Sequence, residues 1–444
     1  MGIKKRQHDV SESVAAVCLE ETKRLNKVLF IVENAYFFAS HVACFGVDKM
    51  LNSGLSVEIW SLADWKYGRE KHEDVIPGTY AESINIEGKE TFDINVQRIS
   101  GDNVLAYIYP YHAYDTLSFY VRKALKENGI PFVNLSESPN ANNGTKIFYV
   151  GGISKGIRIV YDAAKRLASV LHNGVKKLIY FNDTAAKSKY ELRKSEFFGP
   201  LIAKSQNNLF PTRLCTNRIP QPLEMFSKRK IYLNSYDYSK ILAEECASVE
   251  ELKGKEYALF IDQAITQYVP LPGEAPIIKN SEIYWNELNS FFDKFEEETG
   301  LEVVIAMHPK SVNCNGYGNR KLVIGDTCGY VKGASIVINF YSTAINFGIW
   351  YNKKIVLLYS EQINDNHWRD VVVDYHDKLK SMLNTEITNI SIPTDSIKIN
   401  SLDKASRDRF VDLYMVSDEG QHDLSQSEYL LKYATEYFSD ACRR

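Results

Sequence analysis

No CxxC pair occurs anywhere in the chain, and its seven cysteines are scattered and odd in number. That pattern predicts free thiols in a reducing compartment; it excludes a disulfide framework and a cysteine zinc site. No stretch approaches the ~18 consecutive apolar residues that a membrane-spanning helix needs. Neither sign of charge dominates: 53 Lys and Arg stand against 56 Asp and Glu, a net charge of −3. A general nucleic-acid binder would be basic, so no nucleic-acid partner is expected. The residues from Met1 to Ser13 are polar and lack the apolar core of a secretory leader. Arg6 stands where a myristoylation signal needs Ser or Thr. A cytoplasmic protein is therefore the expectation.

Signature motifs are scarce as well. No GxGxxG follows the first apolar strand, which counts against a dinucleotide oxidoreductase. No P-loop, no HExxH and no DxD is present, so neither a P-loop NTPase nor a catalytic metal is indicated. His367 and His376 with Asp370 and Asp374 do not have a metal-ligand spacing; they read as a solvated helix face. There is no tandem repeat and no low-complexity stretch.

The chain does have length, apolar content and order. Its 444 residues, 45% of them hydrophobic, allow two or three domains with real cores. Lys27-Val-Leu-Phe-Ile-Val32 is a continuous apolar run that suits a strand buried on both faces. Phe37 to Leu51 has helical spacing and stops at Asn52-Ser53-Gly54. Leu55 to Trp60 is the next strand, which completes a βαβ unit and implies a parallel sheet. The alternation continues with a strand at Val104–Tyr109, a helix at Tyr114–Glu127 and a strand at Ile130–Asn134. A helix at Ile157–Leu171 and strands at Lys177–Phe181 and Lys230–Asn234 follow. Residues 64–100 and 182–228 are less regular.

A second series begins at Tyr257–Ile261. It runs through a helix at Trp285–Thr299 and strands at Glu302–Ala306, Lys321–Ile324, Ile336–Asn339 and Lys354–Leu358. Helices are expected at Tyr330–Ala334 and Ser342–Trp350, and helical structure from Asp403 onward. The expected fold class is α/β: a polar arm over 1–26, a Rossmann-like domain over 27–240, a second over 241–402, and C-terminal helices over 403–444. The two domains would face each other across a cleft.

Ligands of such domains bind at the carboxyl ends of the strands. There the second half places Asp262-Gln263, then Met307-His308-Pro309-Lys310, then Phe340-Tyr341-Ser342-Thr343. Ser342 and Thr343 offer hydroxyls and free N–H groups suited to a phosphate, or a plain helix cap. His308 can donate to a phosphate oxygen or protonate a leaving group, or be tied down at a strand end. Pro309 would fix the turn that aims the ring. Lys310 adds positive charge, or is simply solvated. Asp262 can act as a general base on a sugar hydroxyl, or form a turn. Gly325, Asp326, Thr327 and Gly329 follow the strand at 321–324 and can shape a nucleotide pocket. In the first half, Asn34, Tyr111 and His112 can line an acceptor side.

Ala306-Met-His-Pro-Lys310 and Asn339-Phe-Tyr-Ser-Thr-Ala-Ile-Asn-Phe347 resemble the HP and Ser/Thr motifs of bacterial GT-B glycosyltransferases. These include the sialyltransferases and polysialyltransferases and, more distantly, the capsule Kdo transferases. Tyr257-Ala-Leu-Phe-Ile-Asp-Gln263 and Asn234-Ser-Tyr-Asp-Tyr238 resemble the short acidic motif of surface-carbohydrate transferases. The resemblance spans roughly residues 230–360. It implies that His308, Ser342 and Thr343 contact the phosphate of a CMP-activated donor and that Asp262 activates the acceptor. Here Asp262 is followed by Gln263 and Ala264, where sialyltransferases usually carry a second acidic residue and Gly.

The resulting expectation is an inverting transferase without a bound metal or tightly held cofactor. It would move a CMP-activated acidic sugar (sialic acid, a related nonulosonic acid or Kdo) onto a capsule, lipopolysaccharide or lipid-linked glycan, with a peripheral contact at the cytoplasmic face of the membrane. A single phosphate leaving group needs few partners, here one imidazole and two hydroxyls. The rivals are a UDP-sugar transferase, a CDP-polyol phosphotransferase, a nucleotide-sugar 2-epimerase and a non-catalytic glycan-binding module.

Overall fold

A computed structural model describes residues 26–33, 39–67, 82–109, 116–136, 212–215, 229–243, 246, 249–267, 276–308, 311, 315–365, 367–393, 396–417 and 423–441. The expected helix at 157–171 and strand at 177–181 lie outside these residues, as do Asn34, Tyr111, His112, Pro309 and Lys310.

Two parallel sheets organise the described chain. The first contains β1 (Lys27–Val32), β2 (Ser56–Ser61), β3 (Glu82–Asn85), β4 (Val104–Tyr109), β5 (Phe132–Ser136), β6 (Thr212–Cys215) and β7 (Arg229–Tyr232). Its order is β3-β2-β1-β4-β5-β6-β7, and every pairing is parallel. The second contains β8 (Tyr257–Ile261), β9 (Glu302–Ala306), β10 (Leu322–Val323), β11 (Ile336–Asn339), β12 (Lys354–Tyr359) and β13 (Ile387–Asn389). Its order is β10-β9-β8-β11-β12-β13, again parallel throughout.

Continuous apolar runs made these strands legible because both faces of each central strand are covered. In β8, Ala258 and Phe260 join the cluster around Phe292 and Phe295, while Tyr257, Leu259 and Ile261 join the one around Val331 and Phe347. Three strands were not expected, and all are short with little apolar signal: β3 and β13 at sheet edges, and β6, which lies between β5 and β7.

Three expectations are corrected. The helix expected over 37–51 is two helices, Ala39–Phe45 and Val47–Asn52, broken at Gly46 with φ +67°. A Cβ there would lie 2.6 Å from Cβ of Ser427, so the close approach of a distant helix requires glycine. Cys246 and Cys328, expected as free thiols, form a disulfide across 82 residues; Cys44 is not disulfide-bonded, and its sulfur accepts from Gln426 Nε2 at 3.3 Å. His376 is not on a solvated face, being only 2% exposed. It continues the buried stripe Val372, Tyr375, Leu379 and Leu383 of the helix His367–Leu383.

The two units are joined at a double crossover. After β7 the helix Tyr236–Leu242 packs Tyr238 against Ile345 and Ile349 of the second unit. The returning chain is bonded to the outgoing one. Ser235 N–H donates to the Met415 carbonyl at 2.8 Å, and Ser417 N–H donates to Asn234 Oδ1 at 2.7 Å. The C-terminal helices therefore divide. Lys404–Tyr414 packs on the second unit, while Gln426–Ala441 packs on the first beside Phe45 and Met50. Among the described residues, no helix is long and apolar enough to cross a membrane.

Candidate functional site

The order of the second sheet reverses between β8 and β11, so the crevice beyond their carboxyl ends is the place where such a sheet takes a ligand. The loops at this edge are stitched together by two consecutive side chains after β8. Asp262 reaches toward β9. Its Oδ2 accepts the His308 N–H at 3.0 Å and the Ser311 hydroxyl, and its Oδ1 accepts the Ala264 N–H at 2.9 Å. Gln263 reaches toward β11, where its Oε1 accepts the Tyr341 N–H at 3.1 Å. The Asp262 bond to its own chain two residues on holds Ala264 at φ +53°, a left-handed conformation that a non-glycine residue adopts only under such constraint.

His308 lies two residues past the end of β9 and is half-buried. Its carbonyl accepts the Ser311 N–H at 2.8 Å, closing a turn. The turn and the bond to Asp262 fix where the imidazole leaves the backbone.

On the β11 side, buried Asn339 holds the next turn. Its Oδ1 accepts the Ser342 N–H at 3.1 Å, and its Nδ2 donates to the Tyr375 hydroxyl at 2.8 Å. Tyr375 in turn donates to the Ser342 carbonyl at 2.9 Å. His376 Nε2 lies 2.8 Å from the Phe340 carbonyl, which fits a donated bond from the ring. Burial pushes the His376 imidazole down to about 4, and it pushes the Tyr375 and Tyr341 hydroxyls far above their ordinary value. All three therefore act as neutral groups at physiological pH.

Ser342 and Thr343 do not open the helix as expected. It begins at Ile345, and Ser342 to Ala344 form the turn before it. Asn339 and Tyr375 bond the backbone groups of Ser342, and its carbonyl is left with only a long 3.4 Å backbone bond, from the Ile345 N–H. The Ser342 hydroxyl accepts the Ala344 N–H at 3.3 Å, and Thr343 is exposed.

Asp262, His308, Ser342 and Thr343 thus stand on three neighbouring loops linked by direct bonds. Gly325 and Thr327 stand on a fourth, after β10 at the far side of β9; Gly325 is exposed at φ +112° and Asp326 caps the helix Thr327–Gly333. Sequence reasoning did not give roles to Gln263, Ser311, Asn339, Tyr375 or His376. Gln263 and Asn339 had a signal, since each is a polar side chain where an apolar strand ends. Tyr375 and His376 had none, because their contacts cross from a helix more than thirty residues away. Among the described residues, no group of three or more His, Cys, Asp or Glu is placed to hold a metal ion.

No protein-family model and no curated protein sequence matches the chain. Solved structures do resemble it at low identity. The calicheamicin glycosyltransferase is 12% identical with a TM-score of 0.47, covering 94% of this chain and 98% of its own. The wall teichoic acid polymerase TagF is 11% identical with a TM-score of 0.46, covering 93% and 90%. The UDP-GlcNAc 2-epimerase of Methanocaldococcus jannaschii is 7% identical with a TM-score of 0.41, covering 93% and 99%. Strand order and the returning C-terminal helix carry the fold assignment: two Rossmann-like α/β units in the GT-B arrangement.

Proposed function

We propose that the protein is a glycosyltransferase that uses a nucleotide-sugar donor, with a CMP-activated acidic sugar as that donor and a surface or lipid-linked glycan as acceptor. The observation that supports it is the Asp262-Gln263 bracket at the switch point, which ties the His308 turn and the Ser342-Thr343 turn to the end of one strand. In this reading the donor phosphate lies between the two turns. The Thr343 and Ser342 hydroxyls and the His308 ring donate to its oxygens, and these bonds strengthen as charge develops on the departing phosphate. Direct displacement by the acceptor hydroxyl inverts the sugar carbon.

We read Asp262 as a positioning group. Both of its oxygens accept hydrogen bonds from His308, Ser311 and Ala264, and the residue is 6% exposed. We assign it the positioning of the His308 turn in place of the base role.

Thermal unfolding in the presence of CMP, CDP or UDP tests the donor class, because a ligand that prefers the native state raises the melting temperature. CMP is expected to give the largest shift, and His308→Ala to weaken it. A shift with UDP and none with CMP would assign a UDP-sugar instead. No shift with any of the three would remove the nucleotide reading.

A further inference from the structure

We propose that Asp237 is the proton-holding group of the phosphate end. It takes up a proton when a nucleotide phosphate binds at the turn 341–344 and presents that proton to the phosphate as a hydrogen bond. The inference rests on the reading of that turn given above.

Asp237 lies in the first turn of the helix Tyr236–Leu242, at the crossover between the two units. It is not spent on capping, because Ser235 already accepts the Tyr238 N–H at 3.1 Å. Its side chain instead crosses to the helix Ile345–Trp350, where Oδ2 accepts from Asn346 Nδ2 at 2.8 Å. The Asn346 N–H donates to the Thr343 carbonyl at 3.0 Å. The carboxyl is thereby tied, through one residue, to the turn that carries Thr343. Its other oxygen has no hydrogen-bond partner among the described residues. Asp262 is the opposite case, with both oxygens occupied.

The surroundings raise the affinity of this carboxyl for a proton. Asp237 keeps some exposed surface yet is packed round by neighbouring atoms, and burial pushes its carboxyl up to about 6. The Asn346 amide and Lys240 of its own helix pull the other way without cancelling this. The facing helix Ile345–Trp350 contains no titratable side chain. On the returning crossover, Asp423 acts on the adjacent Tyr238. A phosphate brought to Thr343 adds like charge, which raises the affinity of the carboxyl for a proton further. A charged Asp237 would repel that phosphate, whereas a protonated one donates to it.

The test is calorimetric titration of the full chain with CMP, repeated in buffers of different ionisation heat between pH 6 and pH 8. The wild-type chain should take up more protons on binding than Asp237→Asn. Over the same range its affinity should fall by about tenfold more per pH unit than that of the variant, the slope expected for one linked proton. Asp237→Asn should bind CMP at least as tightly as wild type at pH 8. Asp237→Glu, which keeps an acid, should retain part of the uptake. Equal proton uptake by wild type and Asp237→Asn would overturn the assignment of Asp237 while leaving nucleotide binding intact. Absence of binding by CMP, CDP and UDP alike would overturn both readings together.

Discussion

The Asp262 carboxylate accepts the backbone N–H of His308 at 3.0 Å, across 46 residues of chain. A strand end thus places the turn of its neighbour through one bond. Removing the carboxylate leaves the His308 and Ala264 N–H groups and the Ser311 hydroxyl without their acceptor, and unsatisfied buried groups cost about 1–3 kcal/mol each, less where water reaches them. Asp262→Ala is expected to lower unfolding stability by roughly 2–3 kcal/mol and to weaken CMP binding, measured by urea denaturation and calorimetry. A general base would behave otherwise: its loss would spare both stability and nucleotide affinity and reduce turnover alone.

Thr343 separates binding from folding. It is exposed, so Thr343→Ala should change stability by no more than about 0.5 kcal/mol. Loss of one hydrogen bond to a phosphate should still reduce CMP affinity by about five- to tenfold. Ser342→Ala should lower both quantities, because its hydroxyl also accepts the Ala344 N–H. An unchanged CMP affinity in Thr343→Ala would remove that residue from the phosphate site.

His376 sets an acid limit on stability. Its imidazole is held down to about 4 by burial, below the 6.5 of an exposed histidine. The folded chain therefore holds it neutral where the unfolded chain protonates it. Its contribution is fully present above pH 6.5 and is lost as pH falls from 6.5 through 4. At about 1.4 kcal/mol per pKa unit, the loss is on the order of 3 kcal/mol. Denaturation curves at pH 7 and pH 4.5 should show a steeper decline for wild type than for His376→Gln, and equal declines would refute the linkage.

The Cys246–Cys328 bond closes a loop that contains β8, β9 and β10. A cross-link of this span stabilises by about 2–4 kcal/mol, chiefly by restricting the unfolded chain. Dithiothreitol should lower the melting temperature of the wild type and leave that of Cys246→Ser unchanged. The non-reduced protein should resist alkylation at both positions; rapid modification of either one would show that the bond is absent.

Legibility in the sequence followed the range of the interactions. Tyr257–Ile261, Glu302–Ala306 and Ile336–Asn339 could be bounded to the residue because five or so adjacent apolar side chains are a local signal. The positions of Asp262, His308 and Ser342 after those strands followed from the same boundaries. Their bonding did not, since hydrogen-bond partners 46 or 78 residues apart leave no periodic trace. Gly46 could be read as a helix-compatible residue until Ser427 of the last helix was seen beside it. Cys246 and Cys328 could not be paired from spacing, because their meeting depends on how the sheet folds between them.

Apolar runs and turn residues by themselves determined two parallel α/β units and brought three polar stretches to one sheet edge, because backbone pairing and burial act over short stretches of chain. Only the tertiary structure decided which of those polar groups are occupied and which are open. It showed Asp262 bonded at both oxygens and Asp237 bonded at one, to Asn346 of the helix that follows the Ser342-Thr343 turn. The reason is physical: the reactivity of a carboxyl depends on its donors and its burial, and both come from residues far away along the chain.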